Sequence, residues 1–146
     1  MVVLNWILLI LIVLAASAQI SLTLAPLSTG EPEQDNLPTA AVQFIEQNKP
    51  AGPLFNSYNW GGYLIYRLWP AYPVYIDGRT DLYEDSFMRR YISVMAADEG
   101  WQQTLDEDGI NLVLIESNSV LAKFMAEQPA WAELYRDDMA VVYARK

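Results

Sequence analysis

The sequence predicts an α/β fold, in which helices cover both faces of a small sheet. Three short apolar runs, at residues 53–58, 72–76 and 110–115, have the composition of buried strands. The segment that joins the first two is too long for a hairpin and rich in Leu, Ile, Tyr and Trp, which favours a crossover helix between parallel strands. Runs at 131–135 and 139–144 predict a terminal antiparallel hairpin. We therefore expect a Rossmann-like three-layer domain with three parallel strands plus that hairpin.

The beginning of the chain differs from the rest. Residues 2–25 carry no charged side chain, and this length is sufficient for a helix to cross a bilayer core of about 30 Å. We predict a transmembrane helix at residues 1–26 that contacts the lipid bilayer through residues 2–25. A cleaved signal peptide is the alternative, because residues 16–18 resemble a cleavage site. Against it, the first basic residue is Lys49, so the positive amino-terminal region of a signal peptide is missing.

Composition limits the function of the remaining chain. Residues 27–37 are predicted to be a polar linker, and residues 38–146 a folded domain. The net charge of −9 argues against nucleic acid as a partner. Cysteine and histidine are both absent, which excludes disulfides, a thiol nucleophile and a conventional zinc site. We expect no cofactor and no metal ion, so any chemistry depends on carboxylates, hydroxyls, Arg or Lys.

Five helices are predicted in the domain from apolar residues at helical spacing. They are one capped by Asn36, the crossover helix capped by Asn59, one over about 86–97, a short one that starts at Trp101, and one capped within residues 117–119.

Polar side chains follow each of the three predicted parallel strands. Because open α/β sheets bind ligands at the carboxyl ends of their strands, this edge is the candidate site. The candidate ligand-binding residues are Asn56, Asn59, Asp77, Arg79, Asp81 and Glu116. The two aspartates and the arginine have the chemistry to hold a sugar, a phosphate or a divalent cation. An ion pair that only braces the loop is the competing interpretation.

Four phrases of the sequence resemble a known class of domain. They are FNSYNWGGYLIYRLWP, YPVYIDGRTDLYED, LDEDGINLVLIE with a preceding Trp, and WAELYRDDMAVVYAR. They are similar to the extracytoplasmic carboxyl-terminal domain of multi-spanning bacterial membrane proteins, which are themselves similar to glycosyltransferases that use lipid-phosphate-linked sugars. Those glycosyltransferases are of the protein O-mannosyltransferase and oligosaccharyltransferase type. The similarity covers residues 38–146, and residues 2–25 would correspond to the last membrane span.

The resemblance implies an accessory role without catalysis. The catalytic acid of such enzymes lies between early membrane spans, so no catalytic residue is transferred to this chain. The expected protein is a single-pass membrane protein with its domain outside the cytoplasm, either a fragment or a truncated relative, which binds a glycan, a lipid-linked sugar or a multi-spanning partner. Two alternatives stay open: a carboxylate-dependent enzyme that acts at Asp77 and Arg79, and a purely structural interaction module.

Overall fold

The computed structural model describes residues 2–29 and 36–146. The chain divides into two compact units, Met1–Asp35 and Asn36–Lys146. The first unit contains helix α1, Val2–Thr29. Within the two described ranges, no helix is both long enough and apolar enough to traverse a bilayer.

The predictions of a transmembrane helix at 1–26 and of a single-pass membrane location are therefore wrong. They rested on the absence of charge at residues 2–25, which is only one of the conditions that a membrane-crossing segment must meet. The predicted linker at 27–37 falls largely on residues 30–35, which lie outside the described residues.

The second unit contains five α-helices and four strands. The helices are α2 Thr39–Asn48, α3 Gly61–Leu68, α4 Asp85–Met95, α5 Trp101–Glu107 and α6 Val120–Met125. The strands are β1 Leu54–Asn56, β2 Leu112–Glu116, β3 Trp131–Arg136 and β4 Ala140–Arg145. Short 3-10 helices span Tyr58–Trp60 and Thr80–Leu82.

Helix caps follow the sequence only in part. Ser119 caps α6, where its hydroxyl accepts a hydrogen bond of 3.2 Å from the Ala122 amide. The predicted caps at Asn36 and Asn59 are wrong. Pro38 occupies the cap position of α2, and Asn59 lies inside the 3-10 helix that precedes α3.

The sheet is mixed, with the strand order β1-β2-β4-β3. Only β1 and β2 are parallel, with Leu54 opposite Leu112. Strand β4 is antiparallel to both of its neighbours and forms the terminal hairpin with β3. The prediction of three parallel strands is therefore wrong, while the α/β class and the terminal hairpin are confirmed.

The missing strand is the segment at 72–76, and a side chain explains its absence from the sheet. The Asn56 carboxamide accepts a hydrogen bond of 2.8 Å from the Tyr75 amide and donates one of 2.9 Å to the Ile76 carbonyl. The segment therefore meets the edge of β1 through one asparagine instead of a backbone ladder. Pro73 has no N–H to add to such a ladder, which favours this arrangement.

The domain core has two halves, one on each face of the sheet. Along β2, Val113 and Ile115 point to the face covered by α4, α5 and α6, and Leu112 and Leu114 to the face covered by α2 and α3. All four side chains are completely buried. A strand with two apolar faces needs cover on both, so the domain has three layers.

Candidate functional site

Asn56 is a structural residue at the end of β1. Its side chain is fully buried, and both of its amide atoms are used to hold residues 75 and 76 and its own neighbour Ser57. It has no polar atom left for a ligand, so its predicted ligand-binding role does not fit this geometry.

Asp77 and Arg79 form an ion pair between a buried carboxylate and an exposed guanidinium. The Asp77 side chain is only 3% exposed, whereas that of Arg79 is 64% exposed. Arg79 Nη2 lies 2.6 Å from Asp77 Oδ2, and the Arg79 amide donates to Oδ1 at 2.9 Å. The hydrogen bonds from Arg79 hold the pKa of Asp77 at about 2, although burial opposes them. The carboxylate therefore stays ionised and aims the guanidinium outward.

Close packing of α3 against this loop fixes the position of Asp77. A methyl group on Gly61 would lie 2.5 Å from the Asp77 Cα and closer still to the Ile76 carbonyl oxygen. Only glycine allows this approach. The Tyr83 hydroxyl accepts a hydrogen bond of 3.1 Å from the Asp77 amide and secures the other side of the loop.

The pair lines a cleft of about 420 Å³, which we call the Arg79 cleft. Its walls are mainly aromatic and aliphatic, and they consist of Ile65, Trp69, Pro73, Val74, Tyr75, Asp77, Arg79 and Tyr83. The aromatic walls are braced from behind, because Phe87 stacks on both Tyr75 and Tyr83, with ring centroids 5.1 and 5.0 Å away. An apolar cleft with a few fixed polar groups is typical of small-molecule sites.

Trp69 is the most accessible aromatic wall of this cleft. It follows directly after α3 and is 63% exposed. Trp60 and Tyr63, two other aromatics of this region, are less exposed. Trp60 is 4% exposed, and the Tyr63 hydroxyl accepts a hydrogen bond of 2.8 Å from Arg67. Trp69 therefore differs from the aromatics that only pack in the core, because it is exposed and lines a cleft.

The remaining predicted residues lie elsewhere. Asn59 and Glu116 line a different cleft of about 470 Å³, together with Asn118 and Asp138. Glu116 accepts a hydrogen bond from the buried Ser57 hydroxyl. Asp81 is exposed in the 3-10 helix after Arg79 and lines neither cleft. The predicted single edge is thus divided into two places.

Sequence reasoning identified Asp77 and Arg79 but missed Trp69, Tyr75 and Tyr83 as walls of the same cleft. Tyr75 falls in the predicted strand at 72–76, and Tyr83 follows the Asp-Gly-Arg loop. Their one signal is that both lie close to this loop in the sequence. In the described parts of the chain, no group of three or more carboxylates is arranged to hold a metal ion.

The chain was compared with protein-family models, with curated proteins and with solved structures, and none of them matches.

Proposed function

We propose that residues 36–146 form a glycan-binding accessory domain, which presents a saccharide to a glycosyltransferase and has no transferase activity of its own. The observation that carries the proposal is the Arg79 cleft, where the exposed Trp69 shares a lined cavity with an oriented guanidinium. The resemblance of four sequence phrases to the carboxyl-terminal domain of membrane proteins that are themselves similar to glycosyltransferases implies the same function.

The chemistry of the cleft suits a saccharide. One face of a sugar ring is apolar and packs on an aromatic plane, while its hydroxyls require donors and acceptors at fixed positions. Trp69 supplies the plane. Arg79 supplies donors, and its Nη1 is not used in the hydrogen bonds to Asp77. Because Asp77 already orients Arg79, binding does not have to immobilise that side chain, which lowers the entropic cost.

The same geometry is poor for catalysis by Asp77. A general base works best with a pKa near the working pH, and the pKa of Asp77 is about 2. Both carboxylate oxygens also accept hydrogen bonds from Arg79. A binding role therefore uses the pair as it stands, whereas proton transfer would require its disruption.

The test is a titration of the full chain with neutral methyl glycosides and water-soluble sugar 1-phosphates, followed by amide resonances. We expect shifts concentrated in residues 65–83. Trp69→Ala should weaken binding about tenfold, since it removes the accessible aromatic plane. Tyr66→Ala is the matched control, because Tyr66 belongs to α3, is 84% exposed and does not line the Arg79 cleft. The proposal would be refuted if no sugar shifted the resonances of this segment. It would also be refuted if Trp69→Ala and Tyr66→Ala lost the same amount of affinity.

A further inference from the structure

A third cleft shares Trp69 with the Arg79 cleft. It measures about 470 Å³ and is lined by Glu46, Lys49, Pro50, Gly52, Arg67, Leu68, Trp69, Ala71 and Tyr72. We call it the Lys49 cleft. Because Trp69 belongs to the walls of both, the two clefts are neighbours with one exposed indole in common.

Each cleft presents one exposed basic side chain. In the Arg79 cleft the carboxylate of the ion pair is buried and the guanidinium is exposed. In the Lys49 cleft, Arg67 is neutralised by Glu46, which accepts hydrogen bonds of 2.8 and 3.2 Å from it. Lys49 is exposed and forms no salt bridge with any described residue.

The position of Lys49 is set by its backbone. It ends α2 in the left-handed region with φ 48°, and its amide donates to the Ile45 carbonyl at 2.8 Å. The side chain therefore leaves the helix end at a defined point beside the cleft. Lys49 carries a charge that no salt bridge with a described residue neutralises, and Arg79 keeps its Nη1 outside the hydrogen bonds to Asp77, so both can donate to an acidic group beside the shared indole.

We propose that the ligand is an acidic saccharide chain of at least two sugar units, which spans both clefts. One ring packs on Trp69, and acidic groups on either side face Lys49 and Arg79. This inference rests on the proposed glycan-binding function and adds the charge and the length of the ligand. The acid is a carboxylate or a sulfate, since either pairs with an ammonium and with a guanidinium.

The experiment compares four probes by amide-detected titration of the full chain: tetragalacturonate, a sulfated tetrasaccharide, neutral maltotetraose and galacturonate alone. We expect at least one acidic tetrasaccharide to bind about tenfold more tightly than maltotetraose and than the single sugar. Added salt should weaken binding of the acidic chain and leave that of maltotetraose unchanged. The ratio of the affinities for the two acidic probes shows whether the site prefers a carboxylate or a sulfate.

Two variants locate the Lys49 cleft. Lys49→Gln should weaken binding of the better acidic chain about threefold, in keeping with an exposed charge pair, and leave galacturonate unaffected. Arg89→Gln removes an exposed charge that lines neither cleft and should change nothing. If maltotetraose binds as tightly as the acidic chains, or if Lys49→Gln binds the better acidic chain as tightly as the wild type does, the ligand does not span both clefts. A glycan site confined to one cleft would still stand. If no saccharide binds, the proposed function itself fails, and this inference fails with it.

Discussion

Gly61 decides how closely α3 approaches the Asp77 loop. A side chain at this position meets backbone atoms of residues 76 and 77, which cannot rotate away. The adjacent Gly62 is the opposite case, since a methyl group there meets no atom within 4 Å. Two neighbouring glycines in the same helical turn thus have different physical roles.

We expect Gly61→Ala to lower the free energy of unfolding by about 1–3 kcal/mol, because the helix or the loop must shift to admit the methyl group. Gly62→Ala should be neutral or stabilising by up to about 1 kcal/mol, since alanine favours the helix. Urea denaturation of both variants measures the difference. Similar stabilities would show that α3 does not depend on this close approach.

Asp77 also makes the stability of the domain depend on pH. Its pKa in the folded protein, about 2, lies below the ordinary value of 3.8. A carboxyl group with a lowered pKa stabilises the fold above its unfolded pKa, and this contribution is lost as the pH falls through the folded pKa. The relevant window therefore runs from about pH 5 down to about pH 2.

Asp77→Asn should flatten the loss of stability in that window. We expect the wild type to lose about 1–2 kcal/mol more than the variant between neutral and acidic pH, after allowance for the solvent that screens the exposed Arg79. Asp81→Asn is the matched control, because Asp81 is exposed in the same loop. Thermal unfolding at a series of pH values provides the comparison. Parallel curves for wild type and Asp77→Asn would contradict the role of the pair.

At the level of elements, the segment at 72–77 is attached to β1 through Asn56. One carboxamide accepts a hydrogen bond from the Tyr75 amide and donates one to the Ile76 carbonyl. An edge strand without such cover would expose its backbone. The aromatic walls of the Arg79 cleft therefore depend on a residue that does not touch the ligand.

Asn56→Ala should loosen this segment more than the rest of the domain. It leaves buried backbone groups of residues 75 and 76 without partners, which costs about 1–3 kcal/mol for each such group. Hydrogen exchange at residues 75–77 should accelerate more than exchange in β2 and β4. Asn48→Ala is the control, because Asn48 is exposed and donates only to Phe44 of its own helix. Uniform acceleration throughout the sheet would mean that Asn56 supports the whole fold instead of this segment.

Sequence patterns predicted the elements whose information is local. The hairpin and the helices α4, α5 and α6 follow from spacing and from nearby caps or glycines. Residues 72–76 were misassigned because an apolar run looks the same whether it pairs with a strand or with an asparagine twenty positions earlier. The exposure of Trp69 is equally nonlocal, since it depends on which face of α3 the sheet covers. Asp77 and Arg79 were predictable because their pairing spans two residues.

For the whole molecule, the proposed saccharide-binding role and the enzymatic alternative predict different outcomes with the same reagents. The domain proposed here binds and orients a saccharide, and its two clefts share one indole on a chain of net charge −9. An enzyme that used Asp77 would instead need that carboxylate to take up a proton near neutral pH, against the hydrogen bonds from Arg79.

We therefore expect the full chain, incubated with a saccharide acceptor and a sugar-phosphate donor, to bind the acceptor and to form no product. The measurement is mass-spectrometric detection of transferred or hydrolysed sugar, alongside a titration that confirms occupancy of the clefts. Asp77→Asn should weaken binding, because Arg79 loses its orienting partner, without changing the product yield. Turnover that disappears in Asp77→Asn but persists in Asp81→Asn, with both variants folded, would establish the enzymatic alternative and displace the accessory role.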